Sequence, residues 1–153
     1  VGMRDSITKR RTLPKKMSDI KSLFDAYAKA VYEKNVEGFL ALFDDEIRVF
    51  DMWAWSYDGV SAWQEMVTGW FGSLGVDRDV VTFEEIRISE SGEMGVASAF
   101  ARFAAVSEKG EELRFLQNRL TWVLRRKAGM WKIIHEHTSG PVDGATMQVR
   151  LRL

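Results

Sequence analysis

Three turn signals, Ser91-Gly92, Lys109-Gly110 and Ala128-Gly129, punctuate the second half of the chain. Around them run four β-branched or aromatic stretches, 80–89, 95–106, 113–126 and 131–139. Glycine supplies the positive φ of a tight hairpin turn, so each signal joins neighbouring strands. Four runs joined by three hairpins predict an antiparallel meander. The first half has a different period. Ser18 as N-cap precedes Ile20, Leu23, Phe24, Tyr27, Ala28 and Val31, which predicts a helix over about 18–34. Asn35 caps a second, shorter helix with Val36, Phe39, Leu40 and Phe43, ending at Asp44-Asp45. Ile47, Val49 and Asp51 alternate with Arg48, Phe50 and Met52 as in a short strand. An aromatic loop over 53–59 leads to a third helix, about 60–73, with Trp63, Met66, Val67, Trp70 and Phe71. Helices first and strands after predict an α+β fold with the helices on one face of a bent sheet.

A chain of 153 residues, 46% hydrophobic and 12% aromatic, suits one domain with a sizeable core. Without cysteine it has no disulfide, thiolate metal site or thiol nucleophile. It contains no apolar run long enough to span a membrane and no signal-peptide core, so no membrane role and a cytoplasmic setting are expected. The formal charge is zero but uneven. Residues 1–16 hold six of the 22 basic groups and one acid, leaving 16 basic against 21 acidic residues, a net charge of −5. Such a body is a poor polyanion binder, and no nucleic-acid partner is expected. Met17-Ser18 reads as the start of the fold. The expected organisation is a solvated basic tail over 1–16, one domain over 17–142 and a C-terminal extension over 143–153, where Gln148–Leu153 alternate like a short edge strand.

Counting outward from two-residue turns assigns the faces of the sheet. About Ala128-Gly129, Thr121 faces Glu136 and Arg119 faces Thr138. About Lys109-Gly110, Arg102 faces Gln117, Phe100 faces Arg119 and Ser98 faces Thr121. Cross-strand partners share a face. One face, expected to line a pocket, then collects Ser98, Phe100, Arg102, Gln117, Arg119, Thr121, Val123, Ile134, Glu136 and Thr138. The other collects Ala97, Ala99, Ala101, Phe103, Leu116, Asn118, Leu120, Trp122, His135 and His137. Both are too apolar for solvent, so a homodimer through the face with Trp122, His135 and His137 is expected.

The element order, and above all Arg119–Arg126 followed by Gly129-Met130-Trp131-Lys132-Ile133-Ile134-His135-Glu136-His137-Thr138-Ser139, resembles the SnoaL-like branch of the nuclear transport factor 2-like superfamily. The last hairpin is also similar to the calcium/calmodulin-dependent kinase association domain. The resemblance spans about 18–142. It implies a cystatin-like cone, helices on a bent antiparallel sheet, around a small-molecule pocket. Among relatives, the ketosteroid isomerases offer a chemical comparison. Tyr27 lies where they have an oxyanion-hole tyrosine, and Asp51 lies where they have the proton-shuttling carboxylate. By the hairpin count their protonated acid, an example of a carboxyl kept neutral by an apolar site, is replaced by Thr121.

The residues admit two readings. Asp51 is either a base at a pocket mouth or a strand-end aspartate, and Tyr27 either a donor to a ligand oxygen or a core tyrosine. Arg102 and Arg119 either pair with Glu136 or leave a positive charge for an acidic ligand. Trp53, Trp55 and Tyr57 form a lid or close the core. His135-x-His137 lacks a third ligand and reads as structural rather than metal-binding. Two functions follow: a cofactor-free acid–base isomerase, cyclase or lyase acting on a carbonyl or acidic compound, or a non-catalytic ligand-binding or assembly module. A chain begun at Met17 is expected to melt within a few degrees of the full chain; a large loss of stability would show that residues 1–16 belong to the fold.

Overall fold

The computed structural model describes residues 19–152. In chain order the elements are α1 (Ile20–Glu33), α2 (Val36–Leu40), β1 (Phe43–Phe50), β2 (Tyr57–Asp58), α3 (Val60–Ser73), β3 (Arg78–Ser91), β4 (Met94–Val106), β5 (Glu112–Lys127) and β6 (Met130–Ser139). They build an α+β fold with one six-stranded sheet in the order β2-β1-β6-β5-β4-β3. The sheet is mixed rather than wholly antiparallel, because β1 runs parallel to β6. Among the described residues, no helix is long and apolar enough to cross a membrane.

Local chemistry sets the helix ends. Asp19, not Ser18, caps α1, its Oδ1 accepting the Ser22 N–H at 2.7 Å; Ser18 lies outside the described residues, as does the tail 1–16. Lys34 turns left-handed at φ 53° and its N–H returns to Ala30 and Val31. Asn35 then caps α2 through the Gly38 N–H at 2.9 Å. That helix is shorter than expected, and Phe43, Asp44 and Asp45 belong to β1. Asp44 accepts from the Lys127 ammonium and the Glu46 N–H, which supports the early strand start.

The β4–β5 register is the expected one: Ser98 faces Thr121, Phe100 faces Arg119 and Arg102 faces Gln117. It arises by two departures that cancel. The loop spans Ser107–Glu111, and a bulge at Leu113 restores the phase. The last hairpin also starts as expected, with Ala128 and Gly129 at φ 50° and 77° and Lys127 facing Met130. Between Leu124–Ile133 and Val123–His135, however, the register shifts by one residue at Ile134. Beyond this bulge Trp122 faces Glu136, Leu120 faces Thr138 and Thr121 faces His137. Glu136 and Thr138 thereby change sides.

The helices cover the face bearing Ala97, Ala99, Ala101, Leu116, Asn118, Leu120, Trp122, Glu136 and Thr138, opposite to the expected pocket face. Small residues on β4 bring the helical layer close. A Cβ on Gly95 would lie 2.5 Å from Ile20 Cδ1 and 3.3 Å from Trp131 Cζ3. Trp122 is fully buried and stacks on Phe24 of α1 at 4.3 Å between ring centroids. It therefore has no place at an outer dimer face. His135 and His137 do lie on the outer face, against Phe50 at 5.0 and 5.6 Å.

Residues after β6 fold back as a strap. Gln148–Arg152 form no edge strand; Val142 and Val149 make an isolated bridge, Asp143 pairs with Arg150, and the Gln117 N–H donates to Leu151 O at 2.7 Å. Gly95→Ala is expected to be mild, since Ile20 Cδ1 can turn aside. Gly95→Leu is expected to cost about 1–3 kcal/mol by overpacking, read as a lowered urea midpoint.

Candidate functional site

Between α1, α3 and the inner sheet face the fold leaves a cavity of about 470 Å³. Phe103, Leu116, Asn118, Thr138 and Glu136 form its floor, and Tyr27, Trp63, Met66 and Trp70 face them from the helices. Asp51, Trp53, Tyr57, Gly69, Ser73 and Asp79 complete the lining. The composition is aromatic and acidic. Among the described residues, no Lys, Arg or His lines it.

Asp51 follows the last residue of β1, where the parallel pairing with β6 ends at Phe50–His137. Thr138 fixes its carboxylate: the Thr138 hydroxyl accepts the Met52 N–H at 3.0 Å and donates to Asp51 Oδ1 at 3.0 Å. Burial raises the Asp51 carboxyl above the ordinary aspartate value, against the lowering effect of Thr138 and the Met52 and Trp53 N–H groups. Tyr27 is 3% exposed and packed between Phe39, Phe83 and Trp122. Burial, then the charges of Glu136, Asp51 and Asp79, hold its phenol well above the usual tyrosine range. The phenol therefore keeps its proton and can donate a hydrogen bond.

Glu136 is 2% exposed and accepts the Trp122 Nε1–H at 2.7 Å. Burial pushes its carboxyl up to about 7; the Trp122 hydrogen bond opposes the rise and the charge of Asp51 adds to it. The cavity thus joins two carboxyl groups that burial raises, Asp51 against three hydrogen bonds that lower it and Glu136, at about 7, against one. Neighbouring acids held in different environments favour acid–base division of labour.

The structure brings Asp51, Tyr27, Trp53 and Glu136 together and separates the other expected site residues from them. Trp53 lies in the lining at 65% exposure, whereas Trp55 is 96% exposed and outside it. Arg102 lies on the outer face, bound through both nitrogens to Glu112 at 3.1 and 2.7 Å and set over Phe115 at 4.1 Å. Arg119, also outside, donates to Ser139 Oγ at 3.1 Å, and Thr121 pairs there with His137. Alternation puts all three opposite the helices, so no Arg–Glu136 pair forms. The electrostatic reason for expecting an acidic ligand falls with it. His135 Nδ1 sits 2.8 Å from Arg48 O, and among the described residues no three His, Asp or Glu groups are placed to hold a metal.

Asp79 and Asn118 line the cavity but were not among the expected site residues. Asp79 is 9% exposed and accepts the Trp70 Nε1–H at 2.8 Å. Asn118 is 4% exposed; its Nδ2 donates to Met52 Sδ at 3.4 Å, and its Oδ1 has no protein partner. Trp63 Nε1 is likewise buried without a partner. A signal for Asn118 was available, as the one amide in the alternate series Leu116, Asn118, Leu120, Trp122.

The family model for the SnoaL-like domain matches residues 20–143. A comparison with curated protein sequences gave no match. Among solved structures, an NTF2-like protein of unknown function from Pseudomonas putida is similar at 26% identity and a TM-score of 0.77, over 90% of this chain and 94% of that one. An NTF2-like protein with a cystatin-like fold from Novosphingobium aromaticivorans is similar at 15% identity and a TM-score of 0.70, over 83% and 82%. The protein Aln2 from a Streptomyces species is similar at 14% identity and a TM-score of 0.70, over 78% and 86%.

The buried acid makes stability depend on pH. Folded, Glu136 holds its proton to about 7; unfolded, it releases it near 4.5. Between these values the folded state binds the extra proton, so this contribution falls as pH rises and is lowest above about 7. Glu136→Gln keeps an acceptor for Trp122 and removes the charge. It is expected to be near neutral at pH 4.5 and stabilising by about 3 kcal/mol at pH 8, measured by urea unfolding. An advantage that does not grow with pH would contradict the buried carboxyl.

Proposed function

The chain belongs to the SnoaL-like family, and on that footing we propose that its cavity binds a compact, mostly apolar carbonyl compound and moves a proton on it without a cofactor. One observation carries the reading: Asp51, Tyr27 and Glu136 line a single cavity in which burial raises all three above their ordinary values. Asp51, with Oδ1 bound by Thr138, takes a proton from the carbon beside the carbonyl. The C–H electron pair becomes the C=C of an enolate, and the charge moves to oxygen. Tyr27 donates a hydrogen bond to that oxygen, and protonated Glu136 keeps the deep end free of a second negative charge. Asp51 then returns its proton to the same carbon or to a conjugated one, which is exchange or isomerisation respectively. In the comparison with ketosteroid isomerases, the neutral-acid role absent at Thr121 passes to Glu136.

Assembly forms the second part of the proposal, favoured by the outer face. Phe50, Val123 and the two imidazoles lie there, with Val96 47% exposed. A second copy of the chain is the natural cover, giving a homodimer whose cavities open away from the shared face.

The acid–base reading is tested with 2-tetralone, a ketone of suitable size, by following loss of its α-protons in D₂O by NMR. The wild-type chain is expected to exceed a buffer control. Asp51→Asn is expected to lose about 10²–10⁴-fold of that acceleration while still binding the ketone. Wild-type exchange no faster than buffer would remove the catalytic reading and leave a binding module.

A further inference from the structure

The cavity has an outer polar end that the proposed proton transfer does not use. On the inner face of β5, alternate residues Trp122, Leu120 and Asn118 form successive rows, the first two paired with Glu136 and Thr138. At the strand rise, Asn118 stands about 7 Å beyond the Thr138 row and about 14 Å beyond that of Glu136. Farther out, Asp79 enters from β3, paired with Ala105. Asn118 and Asp79 thus lie on the side of Thr138 away from Glu136.

Their chemistry is one-sided. The Asn118 Oδ1 is a buried acceptor without a protein partner, and an orphan of that kind costs stability unless something donates to it. Asp79 binds Trp70 through Oδ2, and a carboxylate has room for about four hydrogen bonds. Between the two ends the walls are aromatic, with Trp63, Trp70 and Phe103. Among the described residues, no cation in the lining balances Asp51 and Asp79. A ligand that brings a positively charged donor satisfies the orphan acceptor, neutralises the acidic wall and gains from the ring faces at once. An anionic ligand meets repulsion and offers the amide only a further acceptor.

We propose that the cavity selects compounds carrying a protonated amine, held at the Asn118–Asp79 end, with the reacting carbonyl placed toward Tyr27. The inference rests on this cavity being the ligand site, as in the proposed function, and adds the class of ligand. It reverses the acidic ligand expected from Arg102 and Arg119.

Three probes on one ring skeleton test it: 2-aminotetralin, cationic at pH 7; 2-tetralone, neutral; and tetralin-2-carboxylate, anionic. Quenching of tryptophan fluorescence reads their binding to the full chain. The amine is expected to bind at least about tenfold more tightly than the carboxylate at low salt. Asp79→Asn, which keeps an acceptor for Trp70, and Asn118→Leu are each expected to reduce that preference by about threefold or more. Equal or tighter binding of the carboxylate overturns the inference, as does a preference unchanged in both variants. Amine preference without tetralone exchange upholds it while removing the catalytic reading. Exchange without amine preference overturns it alone.

Discussion

The hydrogen bond from Trp122 to Glu136 joins the core to the cavity, and the rest of the site depends on it. It places an ionisable group at 2% exposure, where the indole N–H offsets part of its desolvation. The carboxyl responds by holding its proton to about neutrality. On its other side Trp122 stacks on Phe24 and touches Tyr27 at 5.8 Å between ring centroids. One indole thus packs against α1 beside Phe83, positions the acid and forms part of the wall behind the phenol.

This bond exists because of a single extra residue. Without the bulge at Ile134, a regular hairpin would turn Glu136 and Thr138 to the outer face and bring His135 and His137 inward. Glu136 would lose Trp122, and Asp51 would lose the hydroxyl that orients it. The bulge also falls where the parallel pairing of β6 with β1 shifts register, between Phe43–Ile133 and Arg48–His135. Re-aiming side chains beside a site is a recurrent use of bulges, and here it converts a structural hairpin into the floor of a polar cavity.

The arginines illustrate the opposite fate. Arg102 and Arg119 lie on the face opposite the helices, where hydrogen bonds to Glu112 and Ser139 and the ring of Phe115 satisfy them. Their removal from the interior leaves a cavity whose charged groups, among the described residues, are all acids. The sign of the interior therefore follows from which face the helices cover. Alanines at 97, 99 and 101 and glycine at 95 admit a close helical layer on that side, whereas Phe100 and Arg102 would hold it away.

Much of this was legible in the residues themselves. Apolar spacing at 3.6 residues marked α1 and α3, and alternating apolar stretches with glycine turns marked β3 to β6, because these signals are local. Tyr27 and Asp51 were legible through a resemblance rather than through composition. The face of the sheet was not, because a one-residue bulge has little local signature yet inverts every side chain beyond it. The parallel β1–β6 pairing, Asp79 at the cavity and the orphan oxygen of Asn118 depend on contacts between distant segments. Sequence by itself determined the long helices α1 and α3 and the strands β3 to β6, since backbone preference and periodicity act over a few residues. Tertiary structure alone decided which side of the sheet became the interior, since that choice rests on how closely one layer can approach another.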